Sequence, residues 1–333
     1  MIGRASLASL VAAAGAVAIL VAAGGEHGGG SAGGSADGAW GSLAPSPLER
    51  SEVGAARIGR HVYVAGGFLA PGRTTDRLAR YDIRRDSWKL LGPMPIGVNH
   101  PGLAAHRGRI YLNGGFSDGQ GLSGESERLY RYDPERDRWR RLPDSPAPRA
   151  AHAFAAIGGR LYAAGGAAGG DQEMRRLDIY DVSRRRWLRG PAMEVGRNHV
   201  AFAVADGMLY VLGGRRSGGV NLSVVERYDP ARERWERLPD LEVARSGFAA
   251  ASVPGGIVAF GGEELGLGGS TIPEVELLDL ETMRWSALPE MMTPRHGLGG
   301  ASRRGRVYAL EGGPRPGLTL SGAVEFLDVE VPD

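Results

Sequence analysis

Short apolar runs broken by glycine and proline fill most of the chain, and their pattern predicts strands rather than helices. The stretches 151–157 and 200–205 are small and apolar, Leu161-Tyr162-Ala163-Ala164 runs into Gly165-Gly166, and Arg234-Trp235-Glu236-Arg237-Leu238 places one large ring among charges. Runs of this length between turn residues read as β-strands. Composition agrees, because 54 Gly and 20 Pro in 333 residues suit an all-β chain of many turns and exclude a coiled coil or a helical bundle.

The runs repeat. Glycine pairs stand at Gly66-Gly67, Gly114-Gly115, Gly165-Gly166, Gly213-Gly214, Gly261-Gly262 and Gly312-Gly313, at intervals of 48 or 51 residues. Trp40, Trp88, Trp139, Trp187, Trp235 and Trp285 each precede a pair by 26 residues, or 27 in the last unit. A third marker, Tyr-Asp or Leu-Asp, ends at Asp82, Asp133, Asp181, Asp229, Asp279 and Asp328, and its first residue lies seven before the next tryptophan. Almost all the length variation falls between the glycines and this marker. Four strands in a unit of about fifty residues make one blade of a propeller. Small residues suit the crowded strand nearest the axis, and tryptophan suits the widening wedge outside it.

The glycine pair, Tyr228-Asp229-Pro230, Trp235 and Pro239, repeated in six concordant copies over residues 39–333, resemble the Kelch repeat family. The resemblance implies an all-β, six-bladed Kelch β-propeller with four strands per blade. The next tryptophan after Leu327-Asp328 would fall at position 334, whereas Trp40 opens the repeat region with no inner strands before it. The N-terminal strand, 39–43, is therefore expected to complete the last blade and close the ring.

Charge narrows the partners. The formal net charge is +2, Lys89 is the only lysine, and the arginines are interspersed with acids, so no nucleic-acid footprint is present and no nucleic-acid partner is expected. The absence of cysteine excludes disulfides, thiolate metal sites and a catalytic thiol. Arg4 followed by the Ala/Val/Leu-rich stretch to Ala23 reads as a signal peptide over 1–23, or else as an uncleaved anchor. Residues 24–38 read as a Gly/Ser-rich linker and 39–333 as the propeller. The expectation is an exported monomer, periplasmic or extracellular, with no membrane span in the mature chain.

Candidate chemistry follows from counting back from each glycine pair. Sixteen back stand Arg50, Arg149, Arg197 and Arg245, with Val98 in the second unit; allowing one inserted residue in the last unit adds Arg295. Near the same level lie Asn99, Asn198, Glu52, His100, His152, His199 and His296, and just past the pairs lie Phe68, Phe116, Arg215, Arg216, Glu263, Glu264 and Arg315. Arg50, His100, Arg149, His152, Arg197, His199, Arg245, Arg295 and His296 are the expected ligand-binding residues of a polar funnel. Guanidinium forks suit carboxylates, and His, Asn and Glu suit hydroxyls, so a glycan or carbohydrate, a small acidic ligand or a protein loop is the expected partner. A metal needs donors about 2.0–2.2 Å from one point; residues spread around a funnel do not converge, and no metal or cofactor is expected. Among enzymes of this architecture, galactose-oxidase-like chemistry needs a cysteine that this chain lacks. The chain is more distantly similar to periplasmic N-acetylneuraminate epimerases, which implies an alternative role as a sugar-acid epimerase or other carbohydrate-active enzyme. Glu52, Glu263 and His199 are then the candidate acid/base groups, with Arg197 and Arg295 for the substrate carboxylate; no catalytic residue is assigned.

Overall fold

The computed structural model describes residues 38–330 except Gln120 and Asp171. The signal peptide and nearly all of the linker expected from the sequence lie outside the described residues. Six four-stranded antiparallel sheets form a ring, with no helix among the described residues. Blade 3 shows the pattern: inner strand Ala153–Ile157, then Arg160–Ala164, Leu177–Asp181 and outer strand Arg186–Arg189. Each inner strand lies beside the next, and that of blade 6, Gly299–Arg303, returns to that of blade 1, Gly54–Ile58.

Each sequence marker has a physical job. The marker aspartate caps the hairpin between the third and outer strands, as Asp181 Oδ1 does for the Arg184 amide at 2.8 Å and Asp229 Oδ1 for Ala231 at 2.8 Å. The marker tyrosine packs on its own blade's tryptophan, with centroids 5.1 Å apart for Tyr81 and Trp88. The indole then donates to the preceding blade: Trp88 to Ala44 O, Trp187 to Pro143 O and Trp235 to Pro191 O, each at 2.9 Å.

The glycine pairs join neighbouring blades. The second glycine donates its amide to the carbonyl sixteen places before the next pair, as Gly115 does to Arg149 O and Gly166 to Arg197 O, both at 2.9 Å. Gly114 has φ +67°, and a Cβ there would lie 2.3 Å from Arg149 O, so only glycine allows this approach. In blade 6 the donor to Arg50 O is Gly312, and Glu311, at φ 58°, holds the place of the first glycine. The sixth unit thus needs no inserted residue: its true pair is Glu311-Gly312, again 26 residues after the tryptophan.

Closure follows the expected plan. Gly41–Leu43 pairs antiparallel with Val324–Asp328 and completes blade 6. Trp40, just before that strand, is buried beside Leu327, Val329 and Phe260 and donates to Pro289 O at 2.9 Å, while Trp88 packs in a different cluster with Tyr81.

Candidate functional site

The residue fourteen before each pair's first position has a left-handed backbone in all six blades: Glu52 (φ 56°), His100 (52°), Ala151 (51°), His199 (50°), Gly247 (63°) and Gly297 (57°). Their amides link blade to blade around the axis. His100 N donates to Glu52 O, Ala151 N to His100 O, His199 N to Ala151 O, Gly247 N to His199 O and Gly297 N to Gly247 O, at 2.7–3.0 Å; Val53 N to Gly297 O, at 3.2 Å, closes the circle. The turn that forms this ring presents side chains to the axis. Below it the inner strands enclose a cavity of about 160 Å³, with Leu103, Val200, Phe202 and Ala249 among its lining residues.

The six side chains Glu52, His100, His199, Arg215, Glu263 and His296 form a circle of their own. Glu52 Oε2 lies 2.9 Å from His100 Nε2, and the His100 and His199 rings meet edge to face at 4.7 Å. His199 Nε2 lies 2.9 Å from Arg215 Nη2, Arg215 Nη1 donates to Glu263 Oε1 at 3.2 Å, and His296 Nδ1 is 3.5 Å from Glu263 Oε2 and 3.0 Å from Glu52 Oε1. Asn99 and Asn198 hold the Nδ1 atoms of His100 and His199 at 2.6 and 2.7 Å. All six members are buried.

Electrostatics inside this circle is unequal. Burial alone would raise the Glu52 carboxyl, but the charges and hydrogen bonds of His100 and His296 outweigh it and hold Glu52 well below the usual carboxylate range. Burial pushes Glu263 up, against the pull of His296. Burial would lower His296, yet its hydrogen bond to Glu52 and the charges of both carboxylates raise it. Burial, with Arg215 adding to it, drives His199 well down, so it stays a neutral imidazole. The circle thus sets its two carboxylates against the Arg215 guanidinium and a His296 held toward its cation, so its charges pair largely with one another.

The five arginines sit elsewhere. Arg50, Arg149, Arg197, Arg245 and Arg295 are each 0% exposed and lie within the blades. Each pairs with a buried acid: Arg50 with Glu311, Arg149 with Asp178, Arg197 with Glu226, Arg245 with Glu276 and Arg295 with Glu325. Other donors reach carbonyls at strand ends, such as Gly66 O from Arg50 and Gly261 O from Arg245. Their guanidinium groups therefore tie strands together and leave no open fork on the funnel, in contrast to the expectation for a ring of ligand-binding arginines. Arg197 and Arg295 are equally removed from the carboxylate-binding part assigned to them in the epimerase reading.

Of the remaining candidates, His100, His199 and His296 join the circle with Glu52 and Glu263, whereas His152 does not. It lies one residue along the chain from the left-handed position, and neither ring nitrogen has a hydrogen-bond partner among the described residues. Burial, then Arg149, holds its pKa well below 6.5. The unfolded chain takes up this proton near pH 6.5, so stability is complete above that pH and declines as pH falls, by about 1.4 kcal/mol per unit for one proton. Replacing His152 with Leu is expected to remove that slope from urea-unfolding free energies measured between pH 6 and 5. An unchanged slope would show that the folded ring already carries the proton.

Arg215 was expected in the funnel lining past its glycine pair but was not counted among its ligand-binding residues. The acids beneath the arginines were missed too, although four of them, Asp178, Glu226, Glu276 and Glu325, each stand two before a marker tyrosine or leucine.

Fold and axial face together define a six-bladed β-propeller of the binding-scaffold class. The chain belongs to the Kelch-repeat family: residues 52–262 match the KLHDC2/KLHL20/DRC7 Kelch-repeats domain. It is similar to human Kelch-like protein 33, 32% identical over 139 residues, which cover 40% of this chain and 25% of that protein. Kelch repeat and BTB domain-containing protein 1 of camelpox virus (strain CMS) is 28% identical over 127 residues, covering 38% and 22% respectively. The matches thus span about a quarter of these relatives' length. Among solved structures, YjhT superposes with a TM-score of 0.74 over 85% of this chain and 95% of its own, at 16% identity, a likeness of fold.

Proposed function

We propose that this propeller is a scaffold that holds a segment of a partner protein against the face bearing the glycine-pair loops. One observation carries the reading. Of the seven large apolar side chains exposed among the described residues, five sit on those loops: Leu122, Val220, Leu265, Leu267 and Leu318. Large apolar side chains gathered on one face, in place of a scatter of single ones, mark a surface for protein contact.

Hydrogen bonds between neighbouring blades also tie the described parts of these loops together. Thr74 N donates to Gly119 O at 3.0 Å, Gly170 N to Glu125 Oε1 at 2.9 Å and Ser217 Oγ to Glu173 Oε2 at 2.5 Å. Asn221 Nδ2 donates to Glu263 O at 2.7 Å and Thr271 Oγ1 to Pro314 O at 3.2 Å. Consecutive blades are linked from 1 to 6, which lowers the entropy cost of binding. If the N-terminal apolar stretch directs export, the partner is met outside the cytoplasm.

Peptides selected from a random display library against the full chain are expected to lose at least tenfold in affinity on Leu265→Asp with Leu267→Asp, and on Leu318→Asp. Fluorescence polarisation reads the change, and Leu90→Asp, on the outer strand of blade 1, is the control. Equal affinities for all variants would remove the rim from function.

A second reading, a sugar-acid epimerase or other carbohydrate-active enzyme, is favoured by the ionised Glu52 carboxylate 2.9 Å from His100. Stabilisation by sugar acids in a thermal-shift screen, lost on Glu52→Gln, would turn the assignment toward it.

A further inference from the structure

Peptide recognition at the rim makes no use of one corner of the axial circle. Glu52, Glu263 and His296 come from three blades, and their donor atoms all lie within 4.8 Å of one another. His296 Nδ1 is 3.0 Å from Glu52 Oε1 and 3.5 Å from Glu263 Oε2. Donors held about 2.0–2.2 Å from one ion in a tetrahedral shell stand roughly 3.3–3.6 Å apart. Two of the separations are already near that spacing and the third, between Glu52 and Glu263, is at most 4.8 Å, so modest side-chain shifts separate the circle from a coordination shell.

A second observation points the same way. Glu263 Oε2 has no hydrogen-bond partner among the described residues, in a side chain 5% exposed. Leaving a buried carboxylate oxygen unsatisfied is costly, and a cation between Oε2 and the imidazole would remove that cost. The other oxygen of each carboxylate is occupied. Glu52 Oε2 meets His100 Nε2 at 2.9 Å, and Glu263 Oε1 accepts from Arg215 Nη1 at 3.2 Å. His100 and Arg215 thereby aim the remaining oxygens inward, as outer partners of metal ligands do. Gly297 helps, because a Cβ there would lie 2.5 Å from Glu52 Cδ and displace the carboxylate.

We propose that Glu52, Glu263 and His296 bind one divalent transition-metal ion, of the zinc or manganese kind, leaving a coordination position open on the axis. Convergence on one point is what the sequence spacing argued against. It arises because residues at three different levels, Glu52 on the left-handed turn, His296 one residue before its own turn and Glu263 past its glycine pair, bend toward the same side. The site does not depend on what the rim binds.

Cobalt(II) is the probe for the full chain after treatment with a chelator. Visible d–d absorption should saturate at one equivalent, be displaced by zinc, weaken at least tenfold in Glu263→Asp and vanish in His296→Gln. The double variant His61→Ala with His106→Ala, which removes two histidines outside the circle, should bind as the original does. Circular dichroism follows folding, and Glu263→Asp, which retains the charge, decides the matter if His296→Gln does not fold. No saturable band in the original chain, or bands that survive in both axial variants, would overturn the site.

Discussion

Changing Arg245 to valine is expected to destabilise the propeller by about 3–5 kcal/mol, the usual result of leaving one partner of a buried ion pair behind. Arg245 is 0% exposed, lies 2.6 Å from Glu276 Oε1, and donates to Gly261 O at 3.1 Å and Glu274 O at 2.8 Å. Its loss strands a carboxylate and three carbonyls at once, the third being Val243 O, 3.2 Å from the Arg245 Nε. Blade 2 shows the alternative, with Val98 in the arginine's place and Tyr130 two before the marker tyrosine. The double change Arg245→Val with Glu276→Tyr copies that solution and should recover part of the loss. Recovery stays partial because Glu276 also accepts from the amides of Glu242 and Val243, at 2.8 and 3.3 Å. Guanidinium-chloride midpoints of the original chain and the two variants test this, and a cost below about 1 kcal/mol for Arg245→Val would mean that solvent reaches the pair.

Trp40→Ala should be the most damaging of the six tryptophan truncations, at about 3–5 kcal/mol. Trp40 is 7% exposed, whereas the other five are only half-buried. Its ring meets Phe260 at 5.9 Å between centroids, and its indole bonds Pro289 O across 249 residues of sequence. Removing residues through Leu43 goes further, since Val324–Asp328 then becomes an open sheet edge. Size-exclusion chromatography of that shortened chain should show self-association absent from the original. A Trp40→Ala cost no larger than that of Trp187→Ala would show that closure rests on strand pairing alone.

Most of the architecture was legible because each marker answers a backbone need that recurs in most blades. The glycine pair needs close approach, the aspartate caps a turn, and the tryptophan reaches the preceding blade, so six repetitions make the period plain. The sixth pair misled by one residue because Glu311 occupies a left-handed position that glycine fills elsewhere, and Gly313 imitated the missing partner. The arginines misled for a different reason. Their spacing locates the α-carbons near the rim, but the direction of the side chain depends on the acid beneath it. That acid was readable: Asp178, Glu226, Glu276 and Glu325 accompany four arginines, while blade 1 has Ala79 and borrows Glu311. The meeting of Glu52, Glu263 and His296 was not readable, because it depends on three local turns and on rotamers that no spacing encodes.

The circle of left-handed residues has a bearing on how this axis can change over evolutionary time. A left-handed turn costs a non-glycine residue about 1–2 kcal/mol, and here each blade's turn is joined to its neighbours through amides and carbonyls. Backbone atoms form those links, and the residues at the six positions already range from Glu through His and Ala to Gly, although Gly297 leaves no room for a Cβ beside Glu52. Substitution at these positions can therefore rewrite what the centre of the molecule attracts, one blade at a time, while the frame around it stays the same.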